Sequence, residues 1–132
     1  KTANWLREKH GGGALSHMAL EEYNIHKEQY PSGVCVSGFR AWEEAKVIKN
    51  NGGIIVFTDA PQQLRYDRTI TRARDNEKLS SFEEFKKRED AEDGGVNSKF
   101  SIAGIKKHAD IVIDNDKNLD DFLNEAIKAI GF

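Results

Sequence analysis

Scarcity is the first property of this sequence: one cysteine, two prolines and one methionine in 132 residues. A lone Cys35 excludes an internal disulfide and any zinc site built from clustered cysteines, and it fits a reducing, cytoplasmic setting. Held between Val34 and Val36, it reads as a small buried hydrophobe. The four histidines, His10, His17, His26 and His108, fall at no ligand spacing on any expected element, so no metal site is expected from them. No apolar run approaches the roughly 20 residues that cross a bilayer, and the opening "KTANWLREKH" has no signal-peptide core, so no membrane partner is expected. Charge of one sign is missing as well. Twenty Lys and Arg stand against 22 Asp and Glu, interspersed, for a net charge of −2. That balance excludes recognition of nucleic acid by bulk charge. Length and composition fit one globular domain, or part of one, spanning residues 1–132. Because the chain opens on Lys1 and its one methionine is Met18, the expectation is that it begins partway into a longer protein.

What is present alternates between two patterns. "ALSHMALEEYNIH" sets Leu15, Met18 and Ala19 on one helical face after the flexible glycines 11–13. "GVCVSGF", bounded by Pro31-Ser32-Gly33 and Gly38, is a short β-branched run that reads as a buried strand. "RAWEEAKVIKNNGG" is a helix with Trp42, Ala45 and Ile48 or Val47 inward and a glycine stop. "GIIVFTDAP" repeats the strand pattern, and Asp59-Ala60-Pro61 gives a helix-start signal. "SSFEEF" holds two overlapping capping boxes, Ser80 with Glu83 and Ser81 with Glu84, opening a helix that runs to Asp93. "HADIVIDND" is a third strand, and "NLDDFLNEAIKAIGF" a closing amphipathic helix. Three uninterrupted apolar strands between helices predict an α/β fold, with a parallel sheet covered on both faces in three α/β/α layers.

One stretch runs against the overall acidity. "LRYDRTITRARD" carries Arg65, Arg68, Arg72 and Arg74, of which the first three share a helical face. Of the positions four residues beyond Arg65, Arg68 and Arg72, none holds a carboxylate; Asp75 is the one local partner. Each unrelieved like-charge pair costs an isolated helix roughly 0.2–0.5 kcal/mol. Such a stripe implies either an external anion or a solvated face bridged to carboxylates elsewhere, such as Glu83 or Glu84. Ligands of open parallel sheets sit at the carboxyl ends of strands. Here those ends are Ser37–Arg40, Thr58–Ala60 and Asp114–Asp116.

In that order, strand, "SGFR", helix, strand, "DAP", arginine-rich helix, polar flap and "ADIVIDND" resemble the C-terminal two-thirds of a P-loop kinase. The group is that of the nucleoside-monophosphate and dephospho-CoA kinases, with adenylate-kinase-related and dephospho-CoA-kinase-like proteins nearest. The resemblance implies ATP-dependent phosphoryl transfer to a nucleotide-like acceptor, a nucleoside monophosphate or dephospho-CoA, with ATP and Mg²⁺ as cofactors and small nucleotides as partners. It places an acceptor-binding helical region at about 1–30 and a lid at about 65–95. Arg7 of "WLRE", together with Gly38 and Arg40 of "SGFR", would hold the acceptor phosphate. Arg68, Arg72 and Arg74 would close on the transferring group, and Asn115 would line the base pocket.

Arginine suits that chemistry. Charge spreads over the equatorial oxygens in phosphoryl transfer, and catalysis is positioning plus electrostatics. A planar guanidinium grips two oxygens at once.

The chain departs from the group's pattern in two places. It contains no GxxxxGK[ST] loop, and Ser37 stands where many relatives carry the acidic residue that organises Mg²⁺. With the group's usual strand order, the missing first strand belongs between "VCVSG" and "IIVFTD". An upstream segment or a second chain is therefore expected to complete the sheet. Two other readings remain: a non-catalytic nucleotide-binding or regulatory module, or inactive kinase fragment, that keeps the anion sites, and a flavodoxin-like binding domain, which leaves the arginine helix unexplained.

Overall fold

The computed structural model describes residues 2–72, 81–93 and 101–131. The element order is α1 (Thr2–His10), α2 (Ala14–His26), a 3₁₀ turn (Lys27–Gln29), α3 (Trp42–Asn50), β1 (Val56–Asp59), α4 (Gln62–Arg72), α5 (Phe82–Asp93), α6 (Ile102–His108), β2 (Ile111–Asp114) and α7 (Leu119–Ile130). The chain is therefore α/β, with a small parallel sheet.

Helix starts follow local chemistry. Ser101 accepts from the N–H of Gly104 to open α6, Asn118 accepts from that of Asp121 to open α7, and Ser81 and Glu84 exchange bonds of 3.3 Å as a capping box for α5. Ala41, at the head of α3, has no side chain to cap with. Glu44 reaches back instead, to the N–H groups of Arg40 and Ala41 at 2.8 and 3.3 Å. α3 ends at Asn51-Gly52, where φ is +84° at Gly52 and a side chain would be strained.

β1 and β2 pair in parallel, Val56 with Ile111 through Asp59 with Asp114. Asp110 fixes the entrance: one carboxylate oxygen accepts from the Ile55 N–H at 2.9 Å and the other from Lys49 at 2.7 Å. The core is built from Ala45, Ile55 and Ile105, with Phe39, Trp42, Ile48, Phe57 and Ala109 packed around them. It joins α3 and α6 to the sheet. Elsewhere α7 packs on β2, and α1 and α2 continue onto α3. The glycines before α2 are not a loose linker as expected. A Cβ on Gly13 would lie 2.6 Å from Val47, so glycine there permits close approach of α2 to α3.

Three expectations are overturned. Residues 33–40 form no strand, because a strand needs a ladder and no neighbour is offered to them among the described residues. Cys35, expected buried, is exposed for the same reason. α2 has the expected bounds, but Ala14 and Ser16 are its buried residues while Met18 is 52% exposed. The short α6 was not anticipated, since seven residues with Gly104 among them carry too little periodicity to register.

Among the described residues β1 has a partner on one edge only. Beside that sheet, Ile54 is 64% and Val56 38% exposed, and α7 shows Leu119, Leu123, Ile127 and Ile130 to solvent. No helix of the described residues is long and apolar enough to cross a membrane.

Candidate functional site

The carboxyl end of β1 delivers Thr58 and Asp59 to a cleft of about 310 Å³ that α4, α5 and α6 complete with Gln62, Arg65, Glu89, Glu92 and Lys106. Asp59 is the hub. Its Oδ2 takes the Lys106 ammonium at 2.5 Å, its Oδ1 accepts from the Ala60 N–H at 2.9 Å, and Arg65 stands 3.8 Å away. The Lys106 bond holds the Asp59 carboxyl below its usual range and raises the lysine in turn. As a cap for α4, the reading the sequence suggested, Asp59 does not serve: its carboxylate is taken by Ala60 and Lys106.

Arg65 finds its carboxylate on α5 rather than on its own helix. Its Nε and Nη2 donate to the two oxygens of Glu89 at 2.9 and 2.6 Å, and Nη1 donates to the carbonyl of Ala60. Gln62 adds a bond to Glu89 at 3.1 Å. Burial alone would push Glu89 up, but the Arg65 and Gln62 bonds outweigh it and hold the carboxyl below its ordinary value. Glu89 raises Arg65 further above an already high range. Tyr66 packs against Phe82 and Phe85, ring centroids 5.4 and 5.5 Å apart, so α4 and α5 form a hairpin with this ion pair on it.

Around that cleft the expected site residues separate into groups. Arg68 donates to the carbonyls of Asn115 and Lys117 at 2.7 and 3.2 Å, so these two expected residues do meet, through the backbone of Asn115. The Asn115 N–H bonds the Asp59 carbonyl at 2.6 Å, which ties that junction to the strand end. Arg72 is exposed at the end of α4 and makes no ion pair or hydrogen bond among the described residues. Arg74 lies outside the described residues, as do Asp75 and Ser80.

Two of the residues expected to hold an acceptor phosphate, Arg7 and Arg40, meet one carboxylate. Arg7 donates from Nε and Nη2 to Oε1 of Glu44 at 2.9 and 2.6 Å, across 37 residues of sequence. Glu44, 2% exposed, gives its other oxygen to the N–H groups of Arg40 and Ala41. Arg40 also accepts at its carbonyl from Ser101 N–H at 2.9 Å, and its guanidinium lies 3.9 Å from Glu92, a residue of the cleft wall. Gly38 sits two residues earlier at φ +87°, a turn that favours glycine.

Sequence reasoning missed Glu44, Glu89 and Lys106. Glu44 had a signal, a glutamate at N3 of a helix whose cap is alanine. Glu89 and Lys106 had none, because their partners are 24 and 47 residues away.

Mg²⁺, implied by the resemblance, does not fit these residues. Both oxygens of Asp59 accept from N–H donors, Ser37 is no carboxylate, and no group of three or more ligating side chains is assembled among the described residues. The cleft carries five carboxylates, Asp59, Glu89, Asp90, Glu92 and Asp93, against Arg65 and Lys106.

No family model matches this sequence. The chain is similar to the UPF0200 protein of Sulfurisphaera tokodaii, at 30% identity over 125 residues, a match that covers 94% of this chain. The chain spans 64% of the length of that protein.

Proposed function

We propose that this chain is the acceptor-binding and lid portion of a P-loop-type phosphotransferase, in a three-layer α/β/α fold, that transfers phosphate from ATP to a nucleotide-like acceptor. The observation that carries the reading is the parallel pair β1–β2, where the carboxyl end of β1 opens on a polar cleft that α4 helps to line and Arg40 lies 3.9 Å from the wall residue Glu92. Ligands of open parallel sheets bind at that edge.

In this reading Arg7 and Arg40, with the turn at Gly38, hold the acceptor phosphate, while Arg72 and Arg74 meet the transferring group. Arg68 holds the base-side loop at Asn115 rather than the phosphate, since its donors go to backbone carbonyls. The one-sided pairing of β1 and the exposed Ile54, Val56 and α7 stripe favour a sheet completed by a further strand, which would bring the phosphate-cradling loop. No step is assigned to Mg²⁺ through the residues described.

A second reading is supported by the carboxylate-rich cleft and the absence of GxxxxGK[ST]: a nucleotide-binding module without catalysis. Thermal unfolding in the presence of AMP, dephospho-CoA and ATP separates the two, because a ligand at 100 times its Kd adds about 2.7 kcal/mol. Stabilisation by AMP or dephospho-CoA, with label transferred from ATP to either by the full-length protein, is the expected result. Stabilisation without transfer favours the second reading, and no stabilisation by any of the three contradicts both.

A further inference from the structure

Glu44 is the most buried charged side chain of the described residues that faces two of the proposed phosphate ligands at once. It rests on α3, yet its oxygens are directed away from that helix's own ladder. Oε1 receives the fork of Arg7 from α1, and Oε2 receives the main chain at Arg40 and Ala41. A guanidinium offers five donors in a fixed plane. When one edge is fixed on a carboxylate, the direction of the opposite edge is set as well, and Nη1 of Arg7 also reaches the side-chain oxygen of Asn4 at 3.4 Å, a contact that a ligand would have to share or displace. The same carboxylate fixes the backbone from which the Arg40 side chain springs, and the Ser101 N–H holds that backbone from the other side at 2.9 Å.

We infer that Glu44 is the positioning residue of the acceptor-phosphate site: through one buried carboxylate it orients the Arg7 guanidinium and the Arg40 main chain toward the same anion. This rests on the reading of Arg7 and Arg40 given above. A shared anchor answers the difficulty of aiming two long, flexible side chains at one phosphate. Arg7, whose side chain is held before binding, has less rotamer entropy to lose when the ligand arrives, while at Arg40 it is the main chain that is fixed. The net charge of the Arg7–Glu44 pair is zero, so the pair itself gives no long-range attraction. Its contribution is geometric, and it is confined to ligands that bear a phosphate.

That confinement supplies the test. Glu44→Gln has nearly the shape of the native residue, but its amide presents one acceptor oxygen and one NH₂ that opposes the N–H donors. It cannot satisfy both Arg7 and the Arg40–Ala41 backbone. Glu44→Asp keeps the charge and is the second variant if the amide does not fold; shortened by one methylene, it reaches one of its two partner sets but not both. Titrations of full-length protein with AMP and with adenosine, at a temperature where circular dichroism shows each variant folded, read the effect. The expected result is AMP affinity weakened about tenfold or more in either variant with adenosine affinity unchanged. Equal loss for both ligands reduces Glu44 to a structural clamp and overturns the inference, as does wild-type AMP affinity in a folded variant. Wild-type protein that binds adenosine and AMP equally, or neither, overturns the phosphate site itself, and the positioning role falls with it.

Discussion

Arg7 and Arg72 are the same residue in opposite circumstances. Arg7 lies against a carboxylate that is almost fully buried, and its pair closes α1 onto α3. Arg72 stands in solvent at the end of α4, with no ion pair or hydrogen bond among the described residues. Between these extremes, Arg65 is locked on Glu89 and Arg68 is spent on two carbonyls. Neighbours on one helix face thus have different fates. Local spacing fixes which arginines share a face, but tertiary partners decide which of them are engaged among the described residues.

The largest contrast expected from that comparison concerns Arg72. Arg72→Ala should leave stability within about 0.5 kcal/mol, as for exposed positions generally. Under the proposed function, phosphoryl transfer by the complete protein should fall about 10³-fold or more. Parallel denaturant melts and turnover measurements check the pair of outcomes, and equal losses in both would make Arg72 a structural group.

Removing Glu44 should act the other way. Glu44→Ala strands the Arg7 guanidinium and two backbone N–H groups, and breaking a buried pair by deleting one partner costs about 3–5 kcal/mol. Urea unfolding measures this. A loss below about 1 kcal/mol would mean that the clasp between α1 and α3 is not what holds them together.

Arg65→Met should fall between the two. The pair with Glu89 is partly exposed, with side-chain exposures of 39% and 26%, so screening reduces its worth to about 1 kcal/mol. Far-reaching loss of α4–α5 structure in this variant would show that the ion pair, rather than Tyr66 against Phe82 and Phe85, organises the hairpin.

The smallest effect lies in pH. Asp59 and Glu89 are both held below their ordinary values, which are about 3.9 and 4.3 in an unfolded chain. An unfolded chain binds protons first as pH falls. The stability these groups contribute is therefore full above about pH 4.5 and is lost below about pH 4, toward their folded values. Glu89→Gln removes one of the two, so its stability should decline less steeply than the wild type's between pH 5 and pH 3. Parallel declines in the two proteins would mean that Glu89 does not report on the Arg65 pair.

Much of the fold could be read from local chemistry alone. α2, α5 and both strands emerged where apolar spacing and caps placed them, because those signals act within one or two turns. "VCVSG" and "IIVFTD" both read as short buried strands, yet residues 33–40 join no ladder among the described residues while Val56–Asp59 became a strand. The difference is the neighbour, not the residues: β2 is at hand for one and absent for the other. Site residues follow the same division. Arg7 and Arg40 could be singled out by the resemblance and Arg68 by the arginine stripe, but their partners Glu44, Asn115 and Lys117 come from folding across 4 to 49 positions. Lys106 was illegible because its partner Asp59 is brought to it by α6, the helix too short to show a period.

The most direct test of this division is the response of the arginine side-chain Nε–Hε signals in an NMR titration of the full-length protein with AMP. The account predicts that Arg7 and Arg40 shift while Arg65, fixed on Glu89, stays in place. Movement of Arg65 with no change at Arg7 or Arg40 would contradict it.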